Sequence, residues 1–153
     1  MSVRHNQTSV DIVILLARVS IAVLMLVHGL PKLGMLFSAE PIQFPAVLGM
    51  TSELSLALTV FAEVFCSILL LVGFGTRLAA IPLIITMLVA VLYIHAADPF
   101  AKQELGIHYL LVYVLLLITG SGRYSIDYLL QPRTMPLAYS KVKVEDPTIN
   151  MYR

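Results

Sequence analysis

The sequence feature that most constrains the fold is a long apolar stretch, Leu54–Arg77, with one carboxylate, Glu63, near its middle. A run of this length and apolarity predicts a helix that crosses a membrane. A carboxylate near the centre of a bilayer is costly, so it normally faces a bundle interior, meets a partner or lines a functional path. Gly73 and Gly75 predict a tight reversal into the next helix. The other helices are therefore expected to pack around Glu63.

The composition of the whole chain agrees with a membrane protein. Of its 153 residues, 59% are hydrophobic and 12% are charged, whereas soluble domains carry about a quarter charged residues. A net charge of +1 without a basic-aromatic patch gives no reason to expect a nucleic-acid partner. The single cysteine, Cys66, excludes an intrachain disulfide and a CxxC redox pair. Dithiol chemistry within one chain is therefore ruled out.

Three further apolar segments predict three more spanning helices. The first is Asp11–Leu30, which is expected to stop or kink at Pro31 because proline cannot continue the hydrogen-bond ladder. The third and fourth helices are expected at about Leu78–Ala97 and Gly106–Thr119. The connection Leu33–Ser52 is unusually apolar for a loop and predicts a short helix lying in the membrane interface.

Short links between four spanning helices predict an all-α, up-down-up-down integral membrane bundle. The bundle is expected to occupy residues 1–131, followed by an extended cytoplasmic tail over residues 132–153. Basic residues outside the apolar segments set the orientation, because they favour the cytoplasmic side. On the side of the N-terminus lie Arg4, Arg77, Arg123, Arg133, Lys141, Lys143 and Arg153. Only Lys32 and Lys102 lie on the other side, so both termini are expected in the cytoplasm.

Two opposite charges are expected within the membrane. At about 1.5 Å per residue, Arg18 lies roughly 10 Å and Glu63 roughly 15 Å from the cytoplasmic boundary. This separation is within reach of an arginine side chain, so a buried Arg18–Glu63 ion pair is predicted. The pair is either structural, because mutual neutralisation is the commonest reason for such charges to coexist, or part of a proton or anion relay.

Several polar residues fall in one layer at the non-cytoplasmic ends of the helices. They are His28, Lys32, Glu53, His95 and His108. Three interpretations remain open: a substrate pocket for a quinone headgroup with histidine as hydrogen-bond partner, a transition-metal site, or ordinary interfacial side chains. The spacing contains no HxxxH or HExxH motif, so no metal ligand is assigned.

The order of these features resembles the DoxX family of small four-helix bacterial membrane proteins. The resemblance is carried by Arg18, HGLPK at His28–Lys32, Glu63, GFGTRLAA at Gly73–Ala80, His95 and GSGRYSID at Gly120–Asp127. It implies a multi-pass protein of the bacterial inner membrane. The family takes its name from a small subunit linked to a thiosulfate:quinone oxidoreductase, and other members accompany oxidoreductases.

Two functions of different class follow. The first is a redox-associated subunit that binds quinone, or a lipid-like substrate, and supports a partner membrane oxidoreductase. The chain has no heme-ligand pair, flavin fingerprint or cysteine ligands, so any electron would come from that partner or stay with the substrate. The alternative is a non-catalytic scaffold subunit of a larger membrane complex. Whether the chain is itself an enzyme stays open at this point.

Overall fold

The computed structural model describes residues 3–131, with side chains from Gln7 onward. This part of the chain is entirely helical apart from its loops, which confirms the all-α class. Four helices are long and apolar enough to cross a membrane, and a short fifth helix follows them. Their bounds are Val3–Leu36 (α1), Ser52–Val72 (α2), Thr76–Ile94 (α3), Phe100–Thr119 (α4) and Ile126–Leu130 (α5). The expected tail, residues 132–153, lies outside the described residues.

Helix α1 is longer at both ends than the sequence pattern predicts. It begins well before Asp11 and continues beyond Pro31, so the expected end of the helix at Leu30 is wrong. Proline forfeits only one donor bond to the preceding turn. The segment after Pro31 is held by a tertiary contact, because Lys32 bonds to Glu63 of α2. A long-range ion pair therefore outweighs the local preference of proline.

The expected interfacial helix between α1 and α2 is absent, since residues 37–51 form turns and irregular backbone. Leu48 and Gly49 adopt left-handed conformations, with φ of 53° and 76°. A right-handed helix cannot pass through such residues. Val47 is buried instead, and its N–H donates to Ser55 Oγ of α2 at 3.2 Å. The apolar character of this loop thus reflects packing against α2.

Two of the spanning helices contain a π-helical segment. One is Phe61–Cys66 in α2, and the other is Ala90–Ile94 at the end of α3. Such segments are rare and occur frequently at functional sites. Glu63 lies within the first, and His95 directly follows the second. The two irregular turns therefore adjoin the polar residues that the sequence marks as candidates.

Arg18 joins α1 to the segment after α4. Its Nη1 donates to the carbonyl of Ser121 at 3.2 Å, and its Nη2 donates to the carbonyl of Tyr124 at 2.6 Å. The guanidinium packs directly on Gly73, the left-handed residue that ends α2. A methyl group on Gly73 would lie 1.6 Å from Arg18 Nη1. Only glycine therefore allows this approach.

Asp127 of α5 closes the same end of the bundle by capping α3. Its carboxylate accepts from the backbone N–H of Gly75 at 2.8 Å and of Thr76 at 3.3 Å. In return its own N–H donates to the carbonyl of Gly73 at 3.0 Å. The first N–H groups of a helix lack intrahelical partners and carry partial positive charge, so a carboxylate stabilises them. The α2–α3 turn is thus fixed by residues far away in sequence.

The interior between this end and Glu63 is apolar. The buried cluster comprises Ile21, Ala22, Met25, Cys66, Leu70, Ala79, Leu83, Met87, Tyr109, Tyr113 and Leu116. All four spanning helices contribute to it. The buried charged residues Arg18 and Glu63 therefore lie in two layers that this core separates.

The Gly73→Ala substitution is predicted to destabilise the protein strongly. A left-handed φ costs a non-glycine residue about 1–3 kcal/mol, and the clash with Arg18 adds to that cost. Gly34→Ala is the control, because a methyl group there meets no atom within 4 Å and the backbone is helical. Thermal unfolding of the purified proteins measures the difference. Equal stability of the two variants would contradict the packing of Arg18 on Gly73.

Candidate functional site

Glu63 forms a bidentate ion pair with Lys32. Lys32 Nζ lies 2.5 Å from Oε1 and 2.7 Å from Oε2, so one ammonium group donates to both carboxylate oxygens. The Glu63 side chain is 3% exposed and the Lys32 side chain 30%. Helices α1 and α2 approach closely here because Gly29 has no side chain, and a methyl group on it would lie 2.8 Å from Val64 Cγ2. Close approach and short bonds offset the cost of burying the two charges.

The expected Arg18–Glu63 pair is therefore wrong, although both residues are buried as predicted. Arg18 packs on Gly73, which lies ten residues beyond Glu63 in α2. That separation corresponds to about 15 Å of helix, more than the guanidinium can bridge in this orientation. Backbone carbonyl groups, with their partial negative charge, take the place of a carboxylate as the acceptors for Arg18.

A cavity of about 160 Å³ lies between the helices next to the ion pair, and we call it the central cavity. Polar side chains from α1, α2, α4 and the α3–α4 link reach it, and α3 contributes apolar residues. Its lining residues are Met25, His28, Lys32, Glu63, Met87, Ala90, Val91, His95, Lys102, Leu105, Gly106 and Tyr109. The structure thus brings together three of the five expected site residues, His28, Lys32 and His95.

A second cavity, of about 310 Å³, lies beneath residues 37–51, and we call it the loop cavity. It shares four lining residues with the central cavity: Lys32, Glu63, Ala90 and His95. The ion pair and His95 therefore belong to the walls of both cavities. Ala90 is the first residue of the π-helical segment of α3.

His95 is held in place by a carboxylate. Its Nδ1 lies 2.8 Å from Asp98 Oδ2, and Asp98 Oδ1 lies 3.6 Å from Lys102 Nζ. The hydrogen bond to His95, together with the charge of Lys102, lowers the pKa of Asp98. Asp98 therefore stays ionised at neutral pH and favours a proton on Nδ1 of His95. Nε2 is left without a hydrogen-bond partner among the described residues, so it is available to a ligand.

Two aromatic residues of α4 extend the site inward. The His28 and Tyr109 rings form a T-shaped contact, with centroids 5.9 Å apart and an interplanar angle of 86°. Tyr109 in turn stacks on the fully buried Tyr113 at 6.1 Å. The floor of the central cavity is therefore aromatic and carries a phenol group.

The remaining two expected residues lie away from both cavities. Glu53 is exposed in the first turn of α2, where its charge suits the helix dipole. His108 is exposed, and its Nδ1 lies 2.7 Å from the carbonyl oxygen of Glu104. Among the described side chains, no three of His, Cys, Asp or Glu lie close enough to share a metal ion. His108 thus lies apart from His28 and His95, which both line the central cavity.

Tyr109 is a site residue that sequence reasoning missed. The signal was present in the periodicity of α4, whose buried residues Tyr109, Tyr113 and Leu116 recur at helical spacing. That face excludes His108, the immediate neighbour of Tyr109. The role of Glu63 as the partner of Lys32 was also missed, because it depends on α1 continuing through Pro31.

These features define a small multi-pass membrane protein with a buried ion pair and cavities between its helices. Comparison with protein-family models matches the DoxX family over residues 13–96, more than half of the chain, and the chain belongs to this family. The matched region runs from α1 to the end of α3 and includes Arg18, Lys32, Glu63 and His95. Comparisons with curated proteins and with solved structures gave no match.

Lys32→Gln is predicted to destabilise the protein, because it leaves the Glu63 carboxylate buried without a partner. Breaking a buried pair typically costs about 3–5 kcal/mol, and the partial exposure of Lys32 places the loss at the lower end. Adding Glu63→Gln is expected to restore part of the stability, whereas adding Arg18→Gln is not. Thermal unfolding of the single and double variants measures these couplings. Rescue by the Arg18 substitution instead would overturn the assignment of partners.

Proposed function

We propose that this protein binds a quinone-type head group in the central cavity and serves as a redox-associated subunit of a membrane oxidoreductase. The observation that carries the proposal is the convergence of Lys32, Glu63 and His95 on the wall that the two cavities share. Binding sites for small molecules are typically apolar cavities with a few convergent polar groups. A ring with two carbonyl oxygens matches such a site in hydrogen bonding, since Lys32 and His95 can each bond to one oxygen.

Lys32 is proposed to bind one carbonyl oxygen of the ligand. An ammonium group has three donors, and the two oxygens of Glu63 account for two of them. The third is free to donate to an oxygen in the cavity. Because Lys32 stays paired with Glu63, the site presents no net charge from these two residues and suits a neutral ligand.

His95 is proposed to bind a second oxygen through Nε2. With Nδ1 protonated and held by Asp98, a neutral ring accepts at Nε2 and a charged ring donates there. A neutral His95 therefore binds the hydroxyl of a quinol, and a protonated His95 binds the carbonyl of a quinone. The quinone and the quinol of these two arrangements differ by two electrons and two protons, so proton transfer from His95 to the ligand oxygen accompanies the arrival of electrons from the partner and of a second proton.

Reduction of a quinone to a quinol consumes two electrons and two protons. His95 can release one proton to a ligand oxygen, and the Lys32–Glu63 pair can pass a second. The electrons are proposed to come from a partner dehydrogenase in the membrane, because the sequence offers one cysteine and no flavin fingerprint. The chain itself would bind, orient and protonate the ligand.

The bundle is proposed to lie in the bacterial inner membrane with alternating helix directions and both termini in the cytoplasm. Two contacts support antiparallel α1 and α2, since Lys32 meets Glu63 while the earlier residue Arg18 meets the later residue Gly73. The excess of Lys and Arg at the Arg18 end supports the orientation. The site at Lys32 would then face the non-cytoplasmic half of the membrane.

The orientation is tested by cysteine labelling in intact cells. In a Cys66→Ala background, Ala97→Cys in the α3–α4 link should react with a membrane-impermeant thiol reagent, and Gln131→Cys should react only after permeabilisation. Both positions are exposed, so access to the reagent decides the result. Equal labelling of the two positions in intact cells would refute the orientation.

The ligand is tested by the quinone content of the gently purified protein. His95→Gln is expected to lower this content several-fold, because glutamine lacks the imidazole ring that Asp98 holds through Nδ1 and cannot exchange a proton with the ligand. His108→Gln is the matched control, since His108 is exposed and lines neither cavity. Identification of the proteins that co-purify in the same preparation shows which partner oxidoreductase is bound. Unchanged quinone content in a stable His95→Gln variant would favour the scaffold function instead.

A further inference from the structure

The loop cavity differs from the central cavity in the chemistry of its walls. It is larger, at about 310 Å³, and its volume lies at the lower end of the range of about 300–1,000 Å³ that is usual for ligand pockets. The apolar residues that line it are Phe44, Pro45, Val47, Leu48, Met50, Leu58, Ile85, Val89, Ala90 and Ile94. They come from the loop 37–51 and from the facing sides of α2 and α3.

Three hydroxyl groups in this lining each already have a hydrogen-bond partner within the protein. Ser55 Oγ accepts from the N–H of Val47 at 3.2 Å. Thr59 donates to the carbonyl of Ser55 at 2.8 Å, and Thr86 donates to the carbonyl of Pro82 at 2.9 Å. These groups therefore offer little to a polar ligand. The wall they belong to behaves as an apolar surface.

The charged and titratable groups of the loop cavity lie where it meets the central cavity. They are Lys32, Glu63 and His95, all of which line both cavities. Polarity thus falls from the shared wall towards the loop 37–51. A molecule that fits both cavities must carry oxygen atoms at one end and hydrocarbon at the other.

The loop backbone is strained at the cavity. Leu48 has a φ of 53°, and it lines the cavity. A left-handed conformation is unfavourable for leucine, and such strain tends to occur at ligand clamps and switch regions. The hydrogen bond from the Val47 N–H to Ser55 Oγ and the burial of the Val47 side chain stabilise this conformation of the loop. The loop is therefore fixed over the cavity by the fold.

We propose that the loop cavity holds the apolar tail of the ligand whose head group lies in the central cavity. This inference rests on the proposed function and narrows it, because the substrate class becomes a lipid-borne quinone with an isoprenoid or alkyl chain. A water-soluble quinone would leave the loop cavity unused. Residues 37–51 then select the tail, while Lys32 and His95 recognise the head.

The sequence contains no tryptophan, so a single introduced tryptophan reports on one place in the molecule. Phe44→Trp places the reporter in the wall of the loop cavity. Phe61→Trp is the control, because Phe61 is half exposed on α2, stacks on Phe65 and lines neither cavity. Quinones quench tryptophan fluorescence at short range. A decyl-tailed quinone and its tail-free analogue are titrated at equal concentrations in the detergent phase.

The tailed quinone is expected to quench the Phe44→Trp reporter saturably and at several-fold lower concentration than the tail-free analogue. In the same reporter background, Leu58→Phe should remove this advantage by filling the cavity. Leu54→Phe should leave it intact, because Leu54 lies one turn earlier in α2, is 49% exposed against 48% for Leu58, and lines neither cavity.

Equal binding of the tailed and tail-free quinones, lost in both cases on His95→Gln, would overturn the inference while leaving the proposed function intact. Failure of both quinones to quench saturably would count against the proposed function itself. Saturable quenching by a brominated phospholipid, with none by quinone, would assign the loop cavity to a membrane lipid chain and also overturn the inference.

Discussion

The structure depends on how two positive groups and one carboxylate are neutralised inside an apolar bundle. A lone charge in hydrocarbon is costly, so Glu63 requires a cation within the membrane. Lys32 supplies it from a part of α1 that lies beyond a proline, and Gly29 lets the two helices approach closely enough for bonds of 2.5 and 2.7 Å. The length of α1, the packing of α1 on α2 and the position of the cavities all follow from this pair.

Arg18 is stabilised by backbone carbonyl groups and not by a carboxylate. It therefore belongs to a polar layer that is separate from the layer at Lys32 and Glu63. Its acceptors are the carbonyl groups of Ser121 and Tyr124, and its guanidinium fills the space that Gly73 leaves open. Asp127 fixes the same turn by capping α3. This layer joins segments that are far apart in sequence and acts as a structural clamp. The layer at Lys32 and Glu63 borders two cavities that share the ion pair and His95, which makes it the better candidate for ligand binding.

The two cavities make the site polar at one end and apolar at the other. Polar groups are concentrated at the shared wall formed by Lys32, Glu63 and His95, and hydrocarbon predominates beneath the loop 37–51. The π-helical segments of α2 and α3 both adjoin this wall, and they place Glu63 and Ala90 there. An irregular helix is costly to maintain within a membrane, so its presence at this wall fits a role in ligand binding.

The sequence by itself determined the four spanning helices, the tight Gly73–Gly75 turn and the burial of Arg18 and Glu63, because apolar length and the cost of a charge in lipid are local properties of the chain. It also identified His28, Lys32 and His95 as residues of one layer. Only the tertiary structure decided which cation meets Glu63, since that depends on α1 passing through Pro31 and on the distance from Gly73. The tertiary structure also decided that Tyr109, and not its neighbour His108, lies in the site, because the buried face of α4 includes Tyr109. Which side chains pair across helices depends on helix packing, side-chain length and backbone conformation together. These are non-local properties, so residue patterns do not determine them.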